Sequence, residues 1–292
     1  MSTPKRLFRP SEYFRPKTVA EAVRLLGQYG EKARVLAGGT DLLTERDPSV
    51  EALVDISGLE LNYIASNGHG VRIGAGTTFA DISVSPLLAD GPYRALAQAA
   101  SQMGTPQIRN MATIGGNICA AVPCADSAPP LLALDAVLVV VGPGGQRSLD
   151  INEFFQDARR TALGRDEVLT EIRLPGFPDL AVTSFIRKGR VAAADLAIVN
   201  VAVRLALSEH SICHEVRIAL GAVAPTPVRA KQAEAMLEGK RPHDELLANV
   251  ADQAAKEIQP IDDIRGSAEY RRTLSRVLVE RALKEALARS SA

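Results

Sequence analysis

The sequence has no excess of either charge: Lys and Arg number 34, and so do Asp and Glu. Without a net field or a basic cluster, nothing steers it toward nucleic acid. It also lacks a membrane-length apolar run. The most hydrophobic stretch, LLALDAVLVVVG at Leu131 to Gly142, is broken by Asp135 and falls well short of the ~20 residues a bilayer helix needs. The amino-terminal MSTPKRLFRPSEYF has basic residues but no apolar core of a signal peptide. The expectation is a soluble, cytoplasmic protein with no transmembrane segment and no nucleic acid partner. Cysteine is scarce, three in 292 residues, and an odd count here argues for reduced thiols over a disulfide framework. Zinc or an iron–sulfur cluster needs about four ligands. Cys119 and Cys124 lie close together, but Cys213 falls in another expected domain. No metal is expected, and the neighbouring pair reads as buried free thiols. His69, His210, His214 and His243 have no ligand spacing and read as surface residues. There is no internal repeat, heptad seam, Ser-His-Asp arrangement or pair of catalytic carboxylates.

What is present reads as two or three compact units, given the length. Thr18-Val-Ala-Glu21 has the form of a capping box, and Val19, Ala22, Val23 and Leu26 follow at helical spacing until Gly30. Strands are expected at Ala33 to Ala37 and Ala52 to Ile56, then helices near Asp81 to Leu88 and Tyr93 to Met103. The segment from Gly104 to Pro130 reads as irregular, too apolar for disorder and therefore functional. Strands follow at Val137 to Val141 and Glu167 to Leu174, ending at Pro175-Gly176-Phe177-Pro178, the expected domain boundary. Beyond it, alternation predicts an antiparallel pair across Val199 to Leu207 and Val216 to Leu220, and then three helices, the last over Ala268 to Arg289.

Two stretches invite chemistry. VLAGGTDLL at Val35 to Leu43 and TIGGN at Thr113 to Asn117 each place a glycine pair before a small polar residue. Glycine lets main-chain N–H groups approach a bulky anion, so two such bends brought together could cradle a pyrophosphate. Familiar phosphate loops are excluded. No G-x-x-x-x-G-K-[ST] occurs, and in VRIGAGTTFA at Val71 to Ala80 the third glycine of a dinucleotide fingerprint is replaced by Phe79.

AGGTDLL, TIGGNI, PCADSAPPLLALDA at Pro123 to Ala136 and GAVAPTPVRA at Gly221 to Ala230 together resemble the FAD-binding medium subunit of molybdenum hydroxylases, the family of xanthine and carbon monoxide dehydrogenases. The resemblance covers nearly the whole chain. It implies an α+β architecture: an FAD-binding domain at 1–177 of the vanillyl-alcohol-oxidase type, with subdomains at about 1–57 and 58–177, and a C-terminal domain at 178–292 of small antiparallel sheet plus helices. It further implies noncovalent FAD whose pyrophosphate is wrapped by Val35, Leu36, Ala37, Gly38, Gly39, Thr40, Asp41 and Leu42 and by Thr113, Ile114, Gly115, Gly116 and Asn117. Asp126, Leu169 and Met103 would lie near the flavin. The segment FIRKGRVAAADLAIVNVAV departs from the family pattern by carrying Arg187 at a lysine place, beside Lys188, while Arg190 and Asp195 fit. Arg187 is thus a candidate flavin contact, or part of a strand with a solvated basic edge.

The resemblance also implies the partners: a small subunit with [2Fe-2S] clusters and a large molybdopterin subunit, as a dimer of heterotrimers. Electrons would pass from the clusters to FAD and on to NAD or another acceptor. The rivals are a self-sufficient FAD-dependent oxidoreductase of the same fold and a scaffold that has lost its cofactor.

Overall fold

The computed structural model describes residues 8–66, 68–177, 181–191 and 195–290. The last residue of the expected boundary, Pro178, lies outside them. Three hydrophobic cores organise the chain.

The first unit comprises β1 (Glu12–Phe14), α1 (Val19–Tyr29), β2 (Ala33–Leu36), α2 (Leu42–Glu45) and β3 (Ala52–Asp55), and its core is drawn from α1, β2, β3 and the chain through Leu61, with Val168 added from further on. Thr18 Oγ1 accepts the Glu21 N–H at 3.1 Å, and the Glu21 carboxylate accepts the Lys17 N–H at 2.9 Å, so the cap forms with its return arm one residue further out. Gly30, at φ 53°, ends the helix. Ala22, Val23, Leu25 and Leu26 are buried, the larger three at roughly 1.5–3 kcal/mol each. β3 lies between β1 and β2, all parallel.

The second unit runs through β4 (Ile64–Ser66), β5 (Gly70–Gly74), α3 (Phe79–Val84), α4 (Arg94–Gln102), α5 (Pro106–Met111), α6 (Ile114–Ala120), α7 (Ala128–Ala133), β6 (Val137–Gly142), β7 (Gly145–Asp150), α8 (Ile151–Phe154), the small hairpin β8 (Phe155–Asp157) and β9 (Arg160–Thr161), and β10 (Val168–Pro175). Its five-stranded sheet has the order β4-β5-β10-β6-β7, antiparallel throughout. The expected irregular segment is corrected here. It holds α5, α6 and the start of α7, two of them capped by threonine: Thr105 Oγ1 accepts the Ile108 N–H and Thr113 Oγ1 accepts the Gly116 N–H. Helices of six or seven residues are too short for apolar periodicity to register in the sequence.

The third unit contains β11 (Ala181–Lys188), β12 (Val199–Leu207), β13 (Cys213–Gly221) and β14 (Val228–Arg229) in consecutive antiparallel order, with α9 (Lys231–Leu237), α10 (Asp244–Ala254) and α11 (Ala268–Ser290). Val199, Val201, Val203 and Leu205 share a core with Val250, Ala251, Val279 and Leu283 of α10 and α11. The opposite face of the sheet is not solvated. Phe185, Ala202 and Ala219 join the core of the second unit, and Asn200 and Arg204 are buried between them. Arg204 reaches Asp135 at 2.7 Å, where Arg217 and Arg229 also converge. The two units are thus joined by both packing and charge.

Candidate functional site

The first bend follows β2. Gly38 is glycine because of the protein itself: a Cβ there would overlap the Met111 carbonyl oxygen at the end of α5. Gly39 follows at φ 71°, where a side chain is strained. The chain then enters α2, with Leu43 N–H bonded to Gly39 O at 3.0 Å. The main-chain N–H groups of Gly38, Gly39, Thr40, Asp41 and Leu42 have no hydrogen-bond partner among the described residues. They form a run of free donors, five amides before and into the first turn of a helix.

The second bend differs from the expectation. TIGGN is the start of α6, and its amides are engaged: Ile114 with Thr77 O at 3.0 Å, Gly115 with Ala75 O at 2.9 Å, Gly116 with Thr113 Oγ1 at 3.1 Å and Asn117 with Thr113 O at 3.0 Å. Gly115 is needed because a Cβ would stand 2.6 Å from Ala75 O. This bend therefore offers side chains. The Thr113 hydroxyl accepts from Gly116 and keeps its proton to donate. The Asn117 Oδ1 accepts from Ser127 Oγ at 2.7 Å, which leaves its Nδ2 donors free.

The two bends meet. A Cβ on Gly116 would lie 4.0 Å from the Ala37 Cβ, and both stretches open on one cavity of about 660 Å³, within the ~300–1,000 Å³ usual for cofactor sites. Val35, Ala37, Gly38, Gly39, Thr40, Asp41 and Leu42 line it, with Met103, Thr113, Gly115, Gly116, Asn117, Asp126 and Leu169. Three of the expected residues do not. Leu36 alternates to the other side of β2 from Val35 and Ala37. Ile114 is fully buried in the core. Arg187 stands behind Asp126, its Nε 3.4 Å from Asp126 Oδ1, while its Nη1 donates to Gln102 O at 2.7 Å and its Nη2 to Asp195 O at 2.5 Å. Its side chain is only 8% exposed, so the solvated basic edge expected at β11 holds for Lys188 and not for Arg187.

Sequence reasoning missed Asn200. Fully buried on β12, it donates from Nδ2 to Asp126 Oδ1 at 2.8 Å. Cys119 and Cys124 line the cavity as free thiols, and burial pushes Cys119 up to about 12, so it is not a ready nucleophile. No group of His, Cys, Asp and Glu among the described residues is arranged to hold a metal ion.

Burial pushes the Asp126 carboxyl up to about 6, against the lowering pull of Arg187 and the Asn200 hydrogen bond. Because the folded value lies above the unfolded one near 3.8, the native chain holds the proton more tightly. The resulting stabilisation is complete below about pH 4 and is lost as pH rises through about 6. It amounts to the order of 3 kcal/mol. Urea unfolding of the cofactor-free chain should show this slope between those pH values, and Asp126→Asn should remove it. Equal slopes in the two proteins would refute the assignment.

The site's residues fit a dinucleotide cofactor: free amides for phosphate oxygens, open glycine backbone, and donors from Thr113 and Asn117 on the facing wall. Comparison with known proteins agrees. The family described as the FAD binding domain in molybdopterin dehydrogenase matches residues 8–177, and the CO dehydrogenase flavoprotein C-terminal domain matches residues 184–286. The chain is 38% identical over 282 residues to the carbon monoxide dehydrogenase medium chain of Hydrogenophaga pseudoflava, covering 95% of this chain and 97% of that one. It is 33% identical over 288 residues to a putative xanthine dehydrogenase FAD-binding subunit of Escherichia coli K12, covering 97% and 98%. A solved carbon monoxide dehydrogenase from H. pseudoflava, one lacking the Mo-pyranopterin moiety of its cofactor, superposes with a TM-score of 0.92 over 96% of this chain and 98% of that chain. With the cavity, both domains and the full-length likeness in agreement, the chain belongs to the FAD-binding medium subunits of the molybdenum hydroxylases.

Proposed function

We propose that this chain is the electron-transfer subunit of a molybdenum hydroxylase complex, taking electrons from [2Fe-2S] clusters of a small partner and passing them to NAD or another acceptor. A large molybdopterin subunit would carry the organic chemistry, in a dimer of heterotrimers. The domain division at residue 177, with subdomains meeting near residue 57, is part of this reading and is supported by the grouping of the buried residues into three cores, the second of which also takes Phe185, Ala202 and Ala219 from beyond residue 177. The observation that carries it is the run of unpaired amides from Gly38 to Leu42 facing the Thr113 and Asn117 side chains across one cavity.

FAD supplies redox chemistry that can take electrons singly and release them in pairs. The protein's own work is to bind and orient it. The first bend would hold the pyrophosphate through main-chain amides, Thr113 and Asn117 would donate from the facing side, and Leu169 and Met103 would exclude water at the apolar end. Asp126, fixed by Asn200 and balanced by Arg187, would accept a hydrogen bond from the cofactor. No helix among the described residues is long and apolar enough to cross a membrane, which fits a cytoplasmic location.

One observation favours a self-sufficient oxidoreductase: a lining carboxyl at about 6 could serve as an acid or base. The purified chain should bind FAD saturably at one per chain. Its flavin should be reduced on adding substrate only when the iron–sulfur and molybdopterin subunits are present. Failure to hold FAD would overturn the reading, and substrate-driven reduction of the isolated chain would replace it with the rival.

A further inference from the structure

A second cavity of about 560 Å³ backs onto the first, with Gly104 on the wall of both. Four cationic side chains line it, Arg109, Arg187, Lys188 and Arg190, and no carboxylate does. The charges are unequally compensated. Arg187 has Asp126 at 3.4 Å, and Arg190 has Asp195 at 3.7 Å. Arg109 and Lys188 have no carboxylate partner among the described residues: Arg109 Nη1 donates only to the Met103 and Gly104 carbonyls, at 3.0 and 3.4 Å, leaving its Nη2 and Nε free.

The cluster is built from three places in the fold, and that matters for the argument. Arg109 comes from α5, Arg187 and Lys188 from the end of β11, and Arg190 from the turn beyond it. Like charges brought together by tertiary structure repel, and a concave, partly desolvated wall strengthens the repulsion. Arg187 illustrates the cost, since its side chain is 8% exposed and its Nε makes no hydrogen bond. A surface that only needed solubility would intersperse carboxylates here. What offsets the repulsion is an anion with several oxygens, able to take forked N–H donors from two arginines and a point charge from a lysine at once.

We propose that this second cavity is an oxyanion site taking a phosphate-class dianion, with Arg109 and Lys188 as the cations left for it and Arg187 forming the wall toward the first cavity. The ligand's phosphate could be free or carried by a nucleotide, and the chemistry of recognition is the same. The site is separate from the unpaired amides of the first bend, so it requires neither the flavin assignment nor the electron route.

The test is calorimetric titration of the full chain with inorganic phosphate, in the FAD-loaded and cofactor-free forms, at constant low ionic strength and with chloride as the control anion. The expected result is saturable 1:1 binding with a Kd below about 1 mM that weakens with added salt. Binding should be lost at least tenfold in Lys188→Glu, whose side chain is exposed, and in Arg109→Gln as a second variant. ADP that displaces phosphate identifies a nucleotide as the source, and ADP that does not identifies free phosphate; either result keeps the site. Absence of saturation by 10-fold above that concentration, unchanged binding in both variants, or complete loss of phosphate binding on loading FAD would overturn it. An FAD-free protein that still binds phosphate separates failure of the flavin reading from failure of this one.

Discussion

Gly116→Leu should lower FAD affinity by at least about 100-fold, a loss of roughly 2.7 kcal/mol, while the chain stays folded. Gly116 lies in the first turn of α6, with open space toward the cavity except for Thr113 Oγ1 at 2.9 Å and the Ala37 Cβ at 4.0 Å from an added Cβ. Leucine there would weaken the Thr113 cap, at about 1 kcal/mol, but gains about as much in helix propensity over glycine. The fold is therefore close to neutral, and the new side chain fills the space between the two bends where the phosphates would lie. Gly115→Ala is the contrasting variant: its Cβ would press on Ala75 backbone at 2.6 Å, so it should lose stability as well as cofactor. Flavin absorbance after dialysis, read beside far-UV circular dichroism, checks both. A Gly116→Leu protein that keeps a full complement of FAD would mean that the cofactor does not pass between the bends.

The second large effect is expected far from the cavity. Arg271, 1% exposed at the start of α11, donates from Nη1 to Ile198 O at 2.6 Å and Ala222 O at 2.9 Å, and from Nη2 to Asp263 Oδ1 at 2.7 Å. It and Arg265 hold the Asp263 carboxyl well below the usual carboxylate range. Arg271→Met keeps most of the volume but leaves the buried Ile198 carbonyl and the half-buried Ala222 carbonyl without this donor, and Asp263 with one cation fewer. Losing the donor to these carbonyls costs about 2–4 kcal/mol, which for a chain of this size lowers the thermal midpoint by the order of 10 °C. The Ile198 carbonyl lies two residues before Asn200, so the loosened strand end should also release Asp126 and reduce FAD retention. A melting curve matching the wild type would show that the guanidinium is not a brace.

The first bend was legible because its cause is local: a β-branched run, two glycines and a new helix follow each other within ten residues. The second was legible as a site and misread as a loop. Thr113 as a helix N-cap would have accounted for the Gly116 amide, but the Ile114 and Gly115 amides are taken by the Thr77 and Ala75 carbonyls, tertiary partners that local sequence does not show. Asp126 came from the family resemblance, but Asn200, 74 residues away, could not, since a polar residue alternating along a strand looks like a solvent-facing one until the opposite face is covered. The same covered face explains Arg187. Short elements such as β1, β4 and β7 were invisible because three-residue edges, or a sequence like GQRSLD, carry no apolar alternation.

The cavity takes its walls from all three units: β2 and its bend from the first, α6 from the second, and Asp126, pinned by Asn200, at the seam with the third. An occupant that touches them all acts as a rivet. Mass action then enters the folding equilibrium, because a ligand at a hundredfold its dissociation constant adds about 2.7 kcal/mol to the native state. A starved cell would therefore hold a softer protein than a well-supplied one, its melting point set by how much cofactor is at hand.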